Sequence, residues 1–246
     1  MNSLERSRLE KAAADCGFDL TPQVEGAALV LRSAQFPEAV TVTAGQDDSF
    51  VITASNDILL PSTPPEQPRT VHGWQALYAA LETASSIART LPNRVAQQFA
   101  KATANMPKST EVERLVVQRV GQQLFRDALL AFWQGRCCIT GLEVTALLRA
   151  SHIRPWALCE SDEQRLDVFN GLLLAAHWDA AFDAGLVTFN VDGALVPSAM
   201  LPESDLLIIS GMQDANAIRL HLQPQHAPFM QWHRENVFGR YEPYGR

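Results

Sequence analysis

Between Glu111 and Trp133, apolar residues return at the three- and four-residue intervals of a helix with one packed face (Leu115, Val116, Val120, Leu124, Leu129, Leu130). Thr110 precedes this stretch and Glu113 stands three residues further on, a capping-box pair that predicts where the helix begins. The same period runs through Leu77, Ala80, Leu81, Ala84, Ile87, Ala88 and Leu91, predicting a helix over 74–91 that stops at Pro92. Shorter helices are expected over 3–16 and 95–104. Alternating segments at 28–32, 39–44 and 49–54 read instead as strands of a small sheet, with Gly45 to Asp48 as a hairpin turn between two of them. Pro61 to Pro68 is proline-rich and predicts an extended linker.

Beyond the long helix the pattern changes again. Residues 136–141 and 147–153 read as strands, the second ending at Pro155, and 168–174 leads into a helix that includes His177 to Phe182. A hairpin is expected over 186–190 and 193–196, around Val191-Asp-Gly193. The reading is an α+β chain: a small N-terminal mixed α/β module over 1–105, then a second domain over 106–246.

Composition narrows the class without choosing a function. With 47% hydrophobic and 19% charged residues, the chain is an ordinary globular one. It lacks an apolar run long enough for a membrane span. Met1 to Lys11 is polar and charged and no apolar stretch follows it, so a cytoplasmic location is expected. Cys16, Cys137, Cys138 and Cys159 fit no zinc spacing and read as structural thiols, the adjacent pair facing opposite sides of a strand. The net charge of −7 counts against a nucleic-acid partner. A local basic groove and a carboxylate-bound metal can nevertheless coexist with an acidic remainder.

Candidate chemistry gathers in the third region. His152 closes a strand, Asn170 opens Asn170-Gly-Leu-Leu-Leu174, and one helix carries His177, Asp179 and Asp183. Asp179 and Asp183 are four residues apart, which places their Cβ atoms on one helix face at about 5–6 Å. Two such carboxylates repel unless a cation lies between them, and hard oxygen donors suit Mg²⁺ or Mn²⁺ better than Zn²⁺ or Ni²⁺. The plainer alternatives are solvated carboxylates, or partners of Arg149 or Arg154. For His152 the plainer alternative is a satisfied histidine at a strand end, and for Asn170 a turn or cap residue.

Five short motifs then occur in order: Arg119-Val-Gly-Gln-Gln-Leu-Phe-Arg126, Cys137-Cys-Ile-Thr-Gly141, Ser151-His-Ile-Arg-Pro-Trp156, Asn170-Gly-Leu-Leu-Leu174 and Asp179-Ala-Ala-Phe-Asp-Ala-Gly185. In this series the chain resembles the HNH endonucleases, in the subgroup with His-Ile-x-Pro-Trp, Asn-Gly-Leu-x-Leu and Asp-x-x-Phe-Asp-x-Gly motifs. The likeness spans roughly residues 114–190 and says nothing of the first hundred or so. It implies a ββα-metal finger clasping one divalent cation, to which the residue pattern adds an extra helix and a β-hairpin. His152 then looks like the general base toward water, Asn170 like the residue that fixes the His-bearing segment, and Asp179 and Asp183 like the metal ligands. The implied products carry 5′-phosphate and 3′-hydroxyl ends.

Two positions depart from the commoner family pattern. Ser151 stands where many members carry Asp or His, and Asp179 stands where many carry His. Arg154 is the expected phosphate clamp, on the reasoning that it projects to the same side of a strand as His152. His177, Arg126 and Arg119 are further substrate-binding candidates, with Gln122 beside them. Trp156 is expected in the core, and His226 and Trp232-His-Arg234 have no assigned role. The expected activity is DNA cleavage, with restriction or defence as its setting and residues 1–105 as a recognition or sensing module by analogy. The alternative is an HNH-like binding or regulatory protein without turnover. RNA is not excluded as substrate, and a homodimer would supply the second cut of a double-strand break.

Overall fold

The computed structural model describes residues 3–60, 67–107, 109–211 and 217–241. The chain divides into two compact units, Met1–Arg89 and Thr90–Arg246. The boundary expected near residue 105 therefore falls inside the second unit.

The first unit begins with helix α1 (Ser3–Asp15) and continues as an antiparallel meander of five strands in sequence order. These are β1 (Gln23–Glu25), β2 (Ala28–Leu31), β3 (Val40–Ala44), β4 (Ser49–Ala54) and β5 (Arg69–His72). Leu29 and Leu31, Val40 and Val42, Phe50 and Ile52 all bury on the alternation that predicted the three central strands. The edge strands are too short and too polar to show that pattern. Helix α2 (Trp74–Thr90) buries the predicted stripe of Leu77, Ala80, Leu81, Ala84, Ile87 and Ala88. Of the proline-rich linker, 61–66 lie outside the described residues.

The second unit opens with α3 (Pro92–Thr103) and α4 (Glu111–Phe132). Thr110 Oγ1 accepts from the Glu113 amide at 3.2 Å and the Glu113 carboxylate accepts from the Thr110 amide at 2.8 Å, closing the capping box. The buried face of α4 is Gly121, Phe125, Ala128, Leu129 and Phe132. Leu115 and Val116, expected on the packed face, are about half exposed at 50% and 47%, because burial on α4 starts one turn later, at Gly121.

Strands β6 (Leu148–His152) and β7 (Gly171–Ala175) pair antiparallel, with His152 opposite Gly171. A four-residue helix α5 (Asp162–Arg165) lies in the loop between them, and α6 (Ala176–Asp183) follows β7 directly. Both α4 and α6 pack on this hairpin. The result is a strand–strand–helix unit braced by a long helix, the α+β architecture the sequence predicts. A second hairpin follows, β8 (Val187–Phe189) and β9 (Leu195–Pro197), then α7 (Glu203–Ser210) and α8 (Ala227–Asn236).

Residues 136–141 do not form the expected strand. They make a tight turn in which the Cys137 carbonyl accepts from the Gly141 amide at 2.9 Å, with Gly141 at a φ of +71°. Cys137 is buried and its sulfur accepts from the Ala175 and Thr140 amides, while the Cys138 amide makes a single backbone bond to Leu173 of β7 at 2.9 Å.

Candidate active site

Glycines in two of the motifs allow the elements around His152 to close up. A Cβ at Gly171 would lie 2.6 Å from Phe125 and 2.8 Å from Leu129, so only glycine lets α4 press against the hairpin here. Phe125 then stacks on the His152 ring, with centroids 3.8 Å apart and planes 16° from parallel. At Gly121 a Cβ would lie 2.5 Å from the Trp156 ring, which itself meets His152 edge-on at 5.7 Å. His152 is thus gripped by two aromatic rings.

Its protonation follows from one bond. Nε2 lies 2.8 Å from the Arg165 carbonyl oxygen, which can only accept, so Nε2 carries the proton and Nδ1 keeps its lone pair. Burial lowers the imidazole pKa from its ordinary value to about 4, with the Arg165 carbonyl opposing. At neutral pH the ring is an uncharged base.

Asn170 holds the segment that follows. It is fully buried, and its Oδ1 accepts from the Arg154 amide at 2.8 Å. Its Nδ2 donates toward the carbonyls of Gln164 at 3.1 Å and Arg154 at 3.2 Å, and toward the Cys159 sulfur at 3.3 Å. Its own carbonyl accepts from the Ile153 amide. Arg165 completes the loop, reaching the Trp156 carbonyl at 3.2 Å, the Cys159 carbonyl at 2.8 Å and Asp162 at 2.9 Å. The residue whose carbonyl orients His152 therefore ties the loop together with its side chain. Nothing in the residue pattern singled out Arg165.

Ser151 and His152, consecutive on β6, lean to opposite sides, toward α6 and α4. The Ser151 hydroxyl donates to Asp183 Oδ1 at 3.2 Å. The Asp179 carboxyl is raised by burial, against the lowering effects of the Ser151 hydroxyl and of Arg149. The Asp183 carboxyl is pushed up to about 6 by desolvation and then by the charge of Asp179, with Ser151 opposing. As a residue Asp183 is solvent-exposed, so its desolvation is partial; the push from Asp179, one turn away, follows directly from the helix spacing. Among the described residues neither acid makes an ion pair.

These groups share one open pocket of about 480 Å³, whose lining includes Arg149, Ser151, His152, Trp156, Asp179 and Asp183, together with His233 and Val237. Residues 137–190 match the family model of HNH endonucleases. Among curated proteins no sequence matches the chain. The HNH match runs from the Cys137 turn to the end of β8 and takes in His152, Asn170, Asp179 and Asp183. It points to a nuclease, with nucleic acid as the class of substrate. Helices α4 and α8 lie outside it.

The remaining sequence candidates go elsewhere. Arg154 does not border the pocket: β6 ends at His152, so strand alternation does not extend to residue 154. Its guanidinium reaches Glu160 at 3.0 Å and lies 5.8 Å from the Trp232 ring. Arg126 donates to the carbonyls of Leu148 and Thr145, both at 3.0 Å, bracing the start of β6. His177 and Arg119 are exposed and border no part of the pocket, as is Gln122. Trp156, expected in the core, is half-buried in the pocket wall. The basic residue that does border the pocket is Arg149. One nitrogen, Nη1, donates to the Ala146 and Leu148 carbonyls, which leaves the rest of an exposed guanidinium beside Asp179.

The HNH endonucleases generally use a divalent metal ion. Among the described residues no three His, Cys, Asp or Glu side chains converge as a metal cluster. What the pocket offers is two carboxylates and a hydroxyl, all hard oxygen donors. That set fits a cation that keeps several waters, and it does not fit a closed nitrogen–sulfur zinc site. No described helix is long and apolar enough to cross a membrane.

Proposed function

We propose that the chain is a metal-dependent endonuclease that hydrolyses phosphodiester bonds of DNA, with restriction or defence as its setting. The observation that carries this reading is that His152, whose imidazole is neutral and doubly clamped, lines the same open pocket as two acids that make no ion pair among the described residues.

His152 is the general base. Its Nε2 keeps its proton and donates it to the Arg165 carbonyl, while Nδ1 takes a proton from the attacking water, and the low pKa keeps the lone pair free at neutral pH. Asn170 keeps the following loop in place, and with it the carbonyl that orients the ring. Asp179 and Asp183 would hold one divalent cation, Mg²⁺ or Mn²⁺, with Ser151 steering the Asp183 carboxylate. When bound, that cation supplies charge stabilisation for the scissile phosphate and its leaving oxygen. Arg149, rather than Arg154, grips a phosphate oxygen at the pocket edge. The unit Met1–Arg89 serves recognition or sensing, and since each chain carries one such site, a homodimer would make double-strand breaks.

Supercoiled plasmid incubated with Mg²⁺ or Mn²⁺ tests this directly. The wild type should nick it and chelation should stop the reaction, while His152→Ala should lose about 10²-fold or more in rate. Cutting that persists at the wild-type rate in His152→Ala would refute the assigned base. Absence of cutting with either metal would favour a binding protein built on the same finger.

A further inference from the structure

Helix α8 lies beyond the segment that matches the HNH endonucleases, yet its His233, with Val237 just after it, lines the same pocket. We propose that His233 is a positioning residue: it fixes the last turn of α6, and so the Asp183 carboxylate, for binding the divalent cation. This rests on the nuclease reading above.

The bonds of His233 define what it does. Nε2 lies 3.1 Å from the Phe182 carbonyl oxygen, an obligate acceptor, so Nε2 carries the proton. Nδ1 must then accept, and it does so from the Thr188 hydroxyl at 3.0 Å. The chain of bonds runs one way, from the Thr188 O–H to Nδ1 and from Nε2–H to the residue immediately before Asp183. The imidazole also stacks on the Phe182 ring at 3.8 Å, 6° from parallel. Both His233 and Thr188 are almost fully buried.

The surrounding contacts converge on the same stretch. The Gly239 amide donates to the Gly185 carbonyl at 2.9 Å, and the Val237 carbonyl sits where a side chain on Gly185 would be. Arg234 Nη1 donates to the Phe189 carbonyl at 2.9 Å. Residues 182, 185, 188 and 189 are therefore all fastened to α8 or to the turn after it.

A brace is needed at this place for two reasons. Helix α6 has only eight residues, too few to be stable without tertiary contacts. It also carries two like charges one turn apart, whose repulsion acts to fray the end bearing Asp183. A hydrophobic side chain would fill this space without the cost of burying an imidazole. Only a polar one can add a second donor to the Phe182 carbonyl, which already accepts from the Gly185 amide at 2.9 Å, and so tie it to α8.

The experiment uses the full chain and three variants. His233→Phe keeps the stacked ring and loses both hydrogen bonds. His233→Gln keeps a donor for the Phe182 carbonyl, and Thr188→Val removes the hydroxyl that donates to Nδ1 and holds the ring in place. Mn²⁺ affinity is measured by calorimetry, amide exchange of the 180–186 peptide by mass spectrometry, and the Mn²⁺ dependence of plasmid nicking alongside. For His233→Phe, Mn²⁺ affinity should fall about 10-fold to 100-fold, the range for outer residues that orient metal ligands. Exchange over 180–186 should accelerate, nicking at saturating Mn²⁺ should fall less than affinity, and His233→Gln should recover most of the loss. If His233→Phe does not fold, His233→Gln and Thr188→Val carry the comparison, with Thr188→Val the weaker Mn²⁺ binder. Wild-type Mn²⁺ affinity in every folded variant would overturn the inference and leave the nuclease reading standing. A wild type that takes up no Mn²⁺ would remove the nuclease reading, and this inference with it.

Discussion

Replacing Asn170 by aspartate changes one NH₂ group to an oxygen and almost nothing in volume, which isolates the hydrogen-bond pattern from packing. In the native protein the Nδ2 group faces three acceptors, the carbonyls of Gln164 and Arg154 and the sulfur of Cys159, at 3.1–3.3 Å. In Asn170→Asp an acceptor would face all three. Oδ1 would keep its bond from the Arg154 amide. Two donor protons are lost in a site with no exposure to solvent, and each buried acceptor left unpaired costs about 1–3 kcal/mol. The new carboxyl must also ionise there or take up a proton. Together these predict a loss of roughly 3–5 kcal/mol at pH 7, a large share of a domain's total stability.

The sign of the pH dependence follows. Burial among acceptors raises the pKa of the new carboxyl in the folded state above its unfolded value, so the variant is least disadvantaged below that unfolded value and loses further stability as pH rises. Urea unfolding of wild type and Asn170→Asp, each at pH 5 and pH 7, reads this out, and comparison within each buffer cancels the other titrating groups. Plasmid nicking should fall in parallel, because the loop that Asn170 secures includes the carbonyl that orients His152. A variant within about 1 kcal/mol of wild type at pH 7 would refute the reasoning, since it would show that the three acceptors find other donors at no cost.

Other consequences can be checked independently. Arg149→Ala should weaken binding to duplex DNA similarly across sequences and reduce the salt slope of log affinity by about 1, as expected for one phosphate contact. An unchanged slope would remove Arg149 from the interface. Gly121→Ala places a methyl group against Trp156 and Phe99, and should cost about 1–3 kcal/mol in urea unfolding while slowing nicking through the shifted Trp156 ring. His226 is fully buried among Phe132, Trp133 and Phe169, and burial lowers its pKa to about 4. Its folded-state value lies below the unfolded one near 6.5, so the unfolded chain takes up its proton first and stability falls as pH drops from about 6.5 toward 4. Relative to wild type, His226→Phe should lose about 1 kcal/mol less between pH 7.5 and 5.5. Equal acid sensitivity of the two proteins would contradict this.

What could be read from the sequence, and what could not, divides along physical lines. The acid pair was legible because helical spacing is fixed locally: residues four apart share a face whatever surrounds them. The central strands and α2 were legible because their apolar period is written in consecutive residues. Arg154 was misplaced by applying strand alternation past the strand's end; within β6 the same rule puts Arg149 on the same face as Ser151, two residues on. The turn at Cys137 looked like a strand because a thiol that accepts backbone bonds leaves no mark in a hydropathy pattern. Helix α8 escaped for a related reason. Its contribution is one buried imidazole joining a hydroxyl to a carbonyl some fifty residues away in sequence, and such a bond has no period. The local rules therefore name His152 and the acid pair, which the fold brings to one pocket, whereas Arg165 and His233, which are bonded to the elements carrying them, become visible only when the chain is folded. A variant search guided by motif alone would pass over both, although each acts on the site through a single carbonyl bond.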